Sequence, residues 1–299
     1  MMKRPLISII IPLYNKQDCI LKTLNSVFDQ DFNDYEIVIV DDGSTDNSIQ
    51  IVESISDNRI HLFRKNNGGP SSARNYGVQK SQGKWVLFLD ADDTLEIGAL
   101  KQVEADIRKH RFADVFCYNL YLGKKTRKTN KSPKHVSGYL FLPFLYWFLD
   151  MIYPRTGNMV CKRKIMQKEP YREDFKRWED GENTFRLMRK YRFYANSLPL
   201  FTYWQDSLAA CKPRKNLSED FICNMQPKGK SFFEQLCMYK LYKDEARYIY
   251  PDDIEKIYGD TFNKVKYWRA DKYLNLYAQK KLLKYLRRRI KDMLVSCQF

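Results

Sequence analysis

At 299 residues, with 44% hydrophobic and 29% charged residues, the chain can form a large folded core and is neither disordered nor collagen-like in composition. Its 52 basic residues outnumber the 36 acidic ones, and the net charge of +16 will attract polyanions such as nucleic acid, anionic lipid or a phosphorylated substrate. The seven cysteines include no CxxC pair and no histidine at metal-ligand spacing, which argues against a disulfide framework or a zinc site and favours a reducing, cytoplasmic compartment.

Strand and helix patterns alternate through the first hundred residues. Short apolar runs at residues 6–11, 35–40, 60–63 and 85–89 have the length of strands, and the first is nearly continuous, as in a sheet covered on both faces. Segments with helical spacing of apolar residues separate these runs. After the fourth run, the pattern continues with a predicted helix at 95–110 and a predicted strand at 114–122. It predicts an α/β fold with a mostly parallel sheet.

The chain is predicted to divide near residue 205. Residues 1–205 carry the α/β pattern, whereas residues 206–299 form a basic, mostly helical C-terminal extension. Within it, residues 261–299 contain 11 basic residues and two aspartates. The longest apolar stretch, 139–153, is shorter than the roughly 20 residues that span a bilayer, so we expect it to be buried or interfacial.

Carboxylates follow two of the predicted strands. Asp41 and Asp42 come after the second strand, and Asp90, Asp92 and Asp93 come after the fourth. Ligands of open α/β sheets bind beyond the carboxyl ends of the strands, and several carboxylates there favour a hard divalent cation such as Mg²⁺ or Mn²⁺. The alternative is structural, because the same residues build Asx turns, solvated acidic turns and helix caps.

Four segments in this order resemble a known family. They are SIIIPLYN at 8–15, VDDGSTD at 40–46, NNGGPSSARN at 66–75 and FLDADD at 88–93. Together they closely resemble the family 2 glycosyltransferases, which have the GT-A fold. The resemblance covers about residues 6–205 and implies a GT-A catalytic domain at 1–205.

The resemblance also assigns roles to residues. The positions matching Pro12, Tyr14 and Asp41 hold the nucleotide base, and uracil suits Asp41 as acceptor of a pyrimidine N–H. Asp90 and Asp92 match the DxD motif, in which the second aspartate ligates the metal and the first reaches the ribose or the metal shell. The expected donor-binding set is Pro12, Tyr14, Asn15, Asp41, Ser72, Arg74 and Asp90, with Asp92 and Asp90 on Mn²⁺ or Mg²⁺.

A fifth segment, RWEDGENTFRL at 177–187, resembles the ED motif of the same family. Asp180 matches the catalytic base that takes the proton of the acceptor hydroxyl, and Glu179 is its acidic neighbour. The structural alternative is a helix start, where the helix dipole favours acidic residues. The family inverts the anomeric carbon in a single displacement.

These assignments imply an inverting, metal-dependent glycosyltransferase that uses a UDP-sugar and a saccharide or lipid-linked saccharide acceptor, as in bacterial surface polysaccharide synthesis. The basic C-terminal helix either lies on an anionic membrane, peripheral to its inner face, or packs on the core. The rival function is a non-catalytic polyanion- or membrane-binding protein. No nucleic-acid recognition motif is present, so we expect no nucleic-acid partner. A nucleotidyltransferase would want a glycine-rich phosphate loop near the N-terminus, where the chain has Pro-Leu-Tyr-Asn.

Overall fold

The computed structural model describes residues 4–124, 127–130, 136–148, 152–204, 216–226 and 229–241. The strands in these ranges are β1 Ile7–Leu13, β2 Tyr35–Asp41, β3 Ile60–Arg64, β4 Trp85–Phe88, β5 Thr94–Leu95, β6 Val115–Lys124, β7 Arg127–Asn130, β8 Gly138–Leu140, β9 Met159–Lys162 and β10 Phe193–Trp204. The helices are α1 Ile20–Phe28, α2 Ser48–Glu53, α3 Pro70–Lys80, α4 Ala99–Lys109, α5 Pro143–Phe148, α6 Arg163–Lys168, α7 Glu179–Lys190 and α8 Phe232–Leu241.

The described strands form one sheet in the order β3-β2-β1-β4-β9-β6-β10-β5, with β7 beside β6 and β8 beside β10. Strands β3, β2, β1 and β4 are all parallel. Their apolar runs are continuous because both faces are covered: Ile10 belongs to one core cluster, whereas Ile9 and Ile11 belong to the other. The predicted α/β fold with parallel pairing in this region is confirmed.

The second half of the sheet mixes directions. Strand β9 runs antiparallel between β4 and β6, pairing Val86 with Cys161 and Phe116 with Val160. Strand β10 is parallel to β6 and ends at Trp204. Because β9 is reversed, the residues just before it lie at the same sheet edge as the carboxyl ends of β4 and β6. Loop segments from both halves of the sheet therefore meet at this edge.

Helix α3 packs very closely on β1. A Cβ atom on Gly77 would lie only 2.4 Å from the Ile10 Cγ2 atom, so a larger residue would push the helix away from the sheet. This contact holds α3 against the sheet. The amino-terminal part of α3, which carries Arg74, thereby lies at the carboxyl edge of β4.

The predicted helix at 95–110 was wrong at its start. Leu95 instead belongs to β5 and pairs with Phe201 of β10. Gly98 then adopts a left-handed conformation with φ 78°, and α4 begins at Ala99. The apolar residues fitted a longer helix, but the pairing of Leu95 with a distant strand decided the boundary.

The apolar stretch at 139–153 is partly folded as α5, in which Phe144, Leu145, Tyr146 and Trp147 are buried. None of the helices within the described ranges has both the length and the apolar character to cross a membrane. The basic segment at 261–299 lies outside the described residues, so its predicted helix is not tested.

Asp114, at the amino end of β6, links three strands. Its carboxylate accepts hydrogen bonds from Lys162 Nζ, at 2.7 Å, and from Arg192 Nε, at 3.0 Å. Burial alone would raise the pKa of Asp114, but these bonds lower it to about 2. Because this value lies below the unfolded pKa of about 3.9, the carboxylate stabilises the fold above about pH 4 and loses that effect as the pH falls toward 2.

We therefore expect Asp114→Asn to lower the free energy of unfolding at pH 7 by about 1–2 kcal/mol, since Arg192 is exposed and its attraction is partly screened. The difference from the wild type should shrink below pH 4. Denaturant unfolding at pH 7, 5 and 3.5 measures it. Asp31→Asn, which breaks an exposed pair with Lys101, is the control and should change stability much less. A difference that stays constant down to pH 3 would contradict the assignment.

Candidate active site

A cleft of about 1160 Å³ opens at the carboxyl ends of the parallel strands. Its walls are the loops after β1, β2, β3 and β4, the segment before β9, and the start of α7. Asp90, Asp92, Glu179 and Asp180 all line it, although the two pairs are far apart in sequence. The structure thus brings the predicted DxD and ED motifs together.

The end of β1 and the loop that follows it carry three predicted donor residues. Pro12, Tyr14 and Asn15 line the cleft, and the Tyr14 side chain is 48% exposed, so a ring face is accessible for stacking. Asn15 has a left-handed backbone with φ 50°, a conformation that asparagine tolerates. Its Oδ1 atom accepts the Thr45 N–H at 2.8 Å, which ties this loop to the loop after β2.

The Asp41 side chain is enclosed by its own turn, whereas a residue that binds the base would be expected to face the cleft. It is buried, and its carboxylate accepts the backbone N–H groups of Gly43, at 3.3 Å, and Ser44, at 3.1 Å. It is not among the described residues that line the cleft. Asp41 therefore shapes the turn after β2, and its contact with a base stays a prediction.

Asp42 lines the cleft instead and holds the loop that leads into α3. Its two carboxylate oxygens accept the N–H groups of Gly68 and Gly69 at 3.0 and 2.7 Å, and Lys65 Nζ lies 2.7 Å away. Ser72, on the first turn of α3, is not among the described residues lining the cleft. Its donor role also stays a prediction.

Each DxD aspartate is paired with a cation of the chain itself. Arg74 Nη2 lies 2.9 Å from Asp90 Oδ1, and Lys16 Nζ lies 2.6 Å from Asp92 Oδ2. The next residue, Asp93, is buried and accepts the Trp204 N–H at 3.0 Å. Burial raises the pKa of Asp93 well above its ordinary value, and the charges of Asp90 and Asp92 act in the same direction. This edge of the sheet therefore attracts positive charge.

Arg74 connects the two carboxylate motifs. Besides Asp90, its guanidinium contacts Glu179, with Nη1 3.2 Å from Oε1, and lies over the Tyr171 ring. Burial opposes its charge, but Asp90 and Glu179 together raise the pKa of Arg74 above its ordinary value. Arg74 is thus a fixed cation between the DxD and ED motifs.

The ED motif forms the first turn of α7. Asp180 Oδ1 accepts the Gly181 N–H at 2.8 Å, and Asp180 lines the cleft. Burial raises the pKa of Glu179, and so does the charge of Asp180, while Arg74 opposes the shift. Of the two carboxylates of the ED motif, Glu179 forms the direct ion pair with Arg74, and Asp180 does not.

A strained residue precedes this turn. Trp178 has φ 59°, a rare conformation for a bulky residue, and such strain often occurs at functional sites. Its ring packs on Gly181, where a Cβ atom would lie 2.6 Å from Trp178 Cε3. The glycine after Asp180 thus allows the Trp178 ring to fit beside the first turn of α7.

A segment downstream of the sheet holds this turn in place. Arg177 Nη1 lies 2.8 Å from Asp220 Oδ2, and both side chains are buried. The backbone N–H of Lys176 donates to Glu219 at 2.7 Å, and that of Phe221 donates to Arg177 at 3.1 Å. We call these contacts the Arg177–Asp220 clamp.

Sequence reasoning missed two cations in the cleft, Lys16 and Arg155. Lys16 directly follows the predicted PLYN segment, and that adjacency was the available signal. Arg155 precedes β9 and lies 5.0 and 5.3 Å from the ring centroids of Tyr153 and Tyr203. Burial opposes its charge, but attraction to Tyr153 and Asp180 raises the pKa of Arg155. No local sequence pattern predicts that Arg155 reaches the cleft, because its position depends on the reversed direction of strand β9.

Helix α8 also reaches the cleft, which the sequence did not indicate. Cys237, Lys240 and Leu241 are among the lining residues, next to Trp147 of α5. Arg189 of α7 forms an ion pair with the buried Glu234 of α8, and Cys237 Sγ donates to the Phe144 carbonyl. Part of the predicted C-terminal extension is therefore a wall of the site.

Comparisons with known proteins agree with this geometry. Residues 8–191 match the sequence profile described as "Glycosyl transferase family 2". The chain is 40% identical over 109 residues to poly(ribitol-phosphate) beta-N-acetylglucosaminyltransferase TarS of Staphylococcus aureus, a match that covers 34% of this chain and 19% of TarS. It is 42% identical over 105 residues to the putative teichuronic acid biosynthesis glycosyltransferase TuaG of Bacillus subtilis, over 34% of this chain and 42% of TuaG. The matched region spans less than half the length of these relatives.

A solved structure has the same fold. The crystal structure of S. aureus TarS 1-349 in complex with UDP-GlcNAc superposes with a TM-score of 0.68 and 22% identity, covering 87% of this chain and 76% of that one. The predicted GT-A fold is confirmed. Because the family profile matches more than half of the chain and the DxD and ED motifs share one cleft, this protein belongs to glycosyl transferase family 2.

Proposed function

We propose that this glycosyltransferase moves a sugar from a UDP-sugar to a saccharide hydroxyl, with inversion and with the help of a divalent cation. The observation that carries the proposal is the cleft itself, where Arg74 joins Asp90 of the DxD motif to Glu179 of the ED motif. A donor held by the first motif would place its anomeric carbon near the second. The UDP-GlcNAc complex of the TarS structure supports a UDP-sugar donor.

For the nucleotide, we assign the exposed Tyr14 ring and Pro12 to the two sides of the base. Asp41 stays the proposed acceptor of a uracil N–H. A carboxylate has about four acceptor positions, so its two bonds to backbone N–H groups leave capacity for a third.

For the metal, Asp90 and Asp92 fit a Mg²⁺ or Mn²⁺ site that is completed by the donor. The described residues contain no cluster of three His, Cys, Asp or Glu side chains that could hold an ion alone. Mg²⁺ is commonly bound by one or two carboxylates together with substrate phosphates, which matches this pair. When bound, the cation would offset the negative charge of the departing diphosphate.

The chain's own residues account for the remaining steps. Asp180 accepts the proton of the acceptor hydroxyl, whose oxygen bonds to the anomeric carbon as the bond to the diphosphate oxygen breaks and UDP leaves. A single displacement of this kind inverts the anomeric carbon. Arg74 pairs with Glu179, and Arg155 is attracted by the charge of Asp180, so the ED motif faces two cations of the chain itself.

The acceptor is proposed to be a saccharide of a surface polysaccharide, free or lipid-linked. TarS is named for transfer to poly(ribitol-phosphate) and TuaG for teichuronic acid biosynthesis, so both names refer to polymers. The wall of the cleft also carries aromatic rings suited to sugar faces, from Trp147, Tyr153, Trp178 and Tyr203.

The direct test is the release of UDP from a panel of nucleotide sugars incubated with the protein and Mn²⁺. We expect slow hydrolysis of one or a few UDP-sugars and none of the corresponding GDP-sugars. A protein that consumes no nucleotide sugar but binds nucleic acid with a steep salt dependence would instead be a polyanion-binding protein.

The membrane role is proposed for the basic segment at 261–299, at the inner face of the cytoplasmic membrane. Deleting the residues after Lys272 should weaken binding to anionic vesicles strongly, because each basic residue near such a surface contributes about 1 kcal/mol. Hydrolysis of the donor should be unchanged, since the motifs lie upstream. Vesicle co-sedimentation measures the first effect. Loss of a cooperative thermal transition would show that the segment belongs to the core.

A further inference from the structure

Tyr171 is a buried tyrosine next to the cleft that the proposed mechanism does not use. It is 3% exposed and is not among the described residues that line the cleft. Burial raises the pKa of Tyr171, against the charge of Arg74, so the side chain is a neutral phenol near neutral pH. Tyr171 is therefore set back from the ligands, and it can act on sugar transfer only through the residues that it contacts.

The ring of Tyr171 packs against the donor side of the site. Arg74 lies over it, with Cζ 5.4 Å from the ring centroid, and the ring of Phe88 meets it edge-on at 5.4 Å. Phe88 is the last residue of β4, two positions before Asp90. The N–H and carbonyl of Tyr171 bond to the Asn75 side-chain amide at 2.8 and 2.9 Å. Tyr171 thus holds α3 at the position where Arg74 meets Asp90.

The hydroxyl of Tyr171 reaches a different part of the site, the segment before β9. It lies 3.1 Å from Thr156 Oγ1, and Thr156 is also buried. Thr156 follows Arg155 in this segment, which Asn158 ties to β6 by donating to the Tyr118 carbonyl at 2.7 Å. The bond to Tyr171 adds a link from the segment to α3, because Tyr171 is itself bonded to that helix.

We propose that Tyr171 is a positioning residue of sugar transfer, which holds Arg74 with its ring and the segment before β9 with its hydroxyl. This inference rests on the proposed function. Both cations that Tyr171 places face the ED motif: Arg74 pairs with Glu179, and Arg155 is attracted by the charge of Asp180. A displacement of about 1 Å in a reacting arrangement can cost about 100-fold in rate. Loss of either contact should therefore slow the reaction without removing a group that reacts.

The experiment measures single-turnover release of UDP, with Mn²⁺, a saturating amount of the UDP-sugar that the wild type hydrolyses fastest, and water as acceptor. Tyr171→Phe keeps the ring and loses the hydroxyl, and we expect it to be about tenfold slower than the wild type, the effect of a displacement well below 1 Å. Tyr171→Leu also loses the ring and should be about 100-fold slower. By calorimetry, Tyr171→Phe should bind UDP as the wild type does, since Arg74 and Asp90 keep their ion pair.

The same hydrogen bond can be broken from its other side. Thr156→Val should slow the release of UDP as Tyr171→Phe does, whereas Thr156→Ser keeps the side-chain oxygen and should keep most of the wild-type rate. Both single variants remove one shared bond. The double variant Tyr171→Phe with Thr156→Val should therefore be no slower than either single variant.

Tyr118→Phe is the matched control. Tyr118 is also buried, its hydroxyl donates to Asp106 at 3.1 Å, and neither residue is among the described residues that line the cleft. This variant should lose stability, as Tyr171→Phe does, and release UDP at the wild-type rate. The thermal transition of each variant reports its stability.

The outcomes separate this proposal from the proposed function. Wild-type release by Tyr171→Phe, or equal slowing by Tyr118→Phe, would overturn the role of Tyr171 and leave the proposed function intact. Additive losses in the double variant would do the same, since the two hydroxyls would then act separately. A loss of UDP affinity as large as the loss of rate would make Tyr171 a support of donor binding instead. If the wild type releases no UDP from any UDP-sugar, the proposed function fails, and the role of Tyr171 fails with it.

Discussion

Replacing Asp180 with asparagine is expected to slow sugar transfer by about 10²–10⁴-fold, the usual contribution of a general base, while UDP affinity stays near that of the wild type. The amide cannot accept the proton of the acceptor hydroxyl. Its Oδ1 atom can still accept the Gly181 N–H that Asp180 now accepts, so the first turn of α7 should keep its shape. The measurement is single-turnover transfer with saturating donor, alongside calorimetry with UDP.

Glu179→Gln is the matched variant. Glu179 is buried against Arg74 and its carboxylate is already held in that ion pair, which leaves it less available to an acceptor hydroxyl than its neighbour. We expect it to slow transfer less than Asp180→Asn does. Wild-type transfer by Asp180→Asn together with inactive Glu179→Gln would show that Glu179 is the base. If both variants remain active, this motif does not act as a base.

Asp92→Ala is expected to lower the Mn²⁺-dependent affinity for UDP by at least about 100-fold, since even residues that only support metal ligands affect metal affinity by 10–100-fold. Asp90 is left with its bonds to Arg74 and cannot hold the cation alone. Calorimetry with UDP, in the presence and absence of Mn²⁺, measures the loss.

Asp31→Ala is the control for Asp92→Ala, because it removes an exposed carboxylate that is also paired with a lysine. It should bind UDP as the wild type does. Unchanged Mn²⁺-dependent binding by Asp92→Ala would remove Asp92 from the metal site and leave its pairing with Lys16 as its structural role.

The sequence predicted the strands that lead into the cleft because local patterns determine them. The strands that end at Leu13, Asp41 and Phe88 are short, apolar and buried on both faces, so their positions and the residues after them could be predicted. The ED motif was found by its resemblance to the family, and its place at the start of α7 also fits the structural alternative of an acidic helix start.

The rest depends on contacts between distant segments. Arg155 reaches the cleft because β9 enters the sheet in reverse, and Lys240 reaches it because α8 packs on α5. No spacing within a single segment encodes these arrangements.

The Arg177–Asp220 clamp joins the start of α7, where the proposed base lies, to a part of the chain beyond the family profile, which ends at residue 191. Breaking a buried ion pair by removing one partner typically costs about 3–5 kcal/mol, so the turn cannot keep its position without an equivalent contact. The architecture of the proposed donor site is thus separable from the anchoring of the proposed base. A chimera that joins residues 1–205 to the tail of another relative would bind a donor but transfer sugar only if the new tail supplied its own anchor. Exchange of one C-terminal segment would therefore change the anchoring of the proposed base while leaving the DxD motif in place.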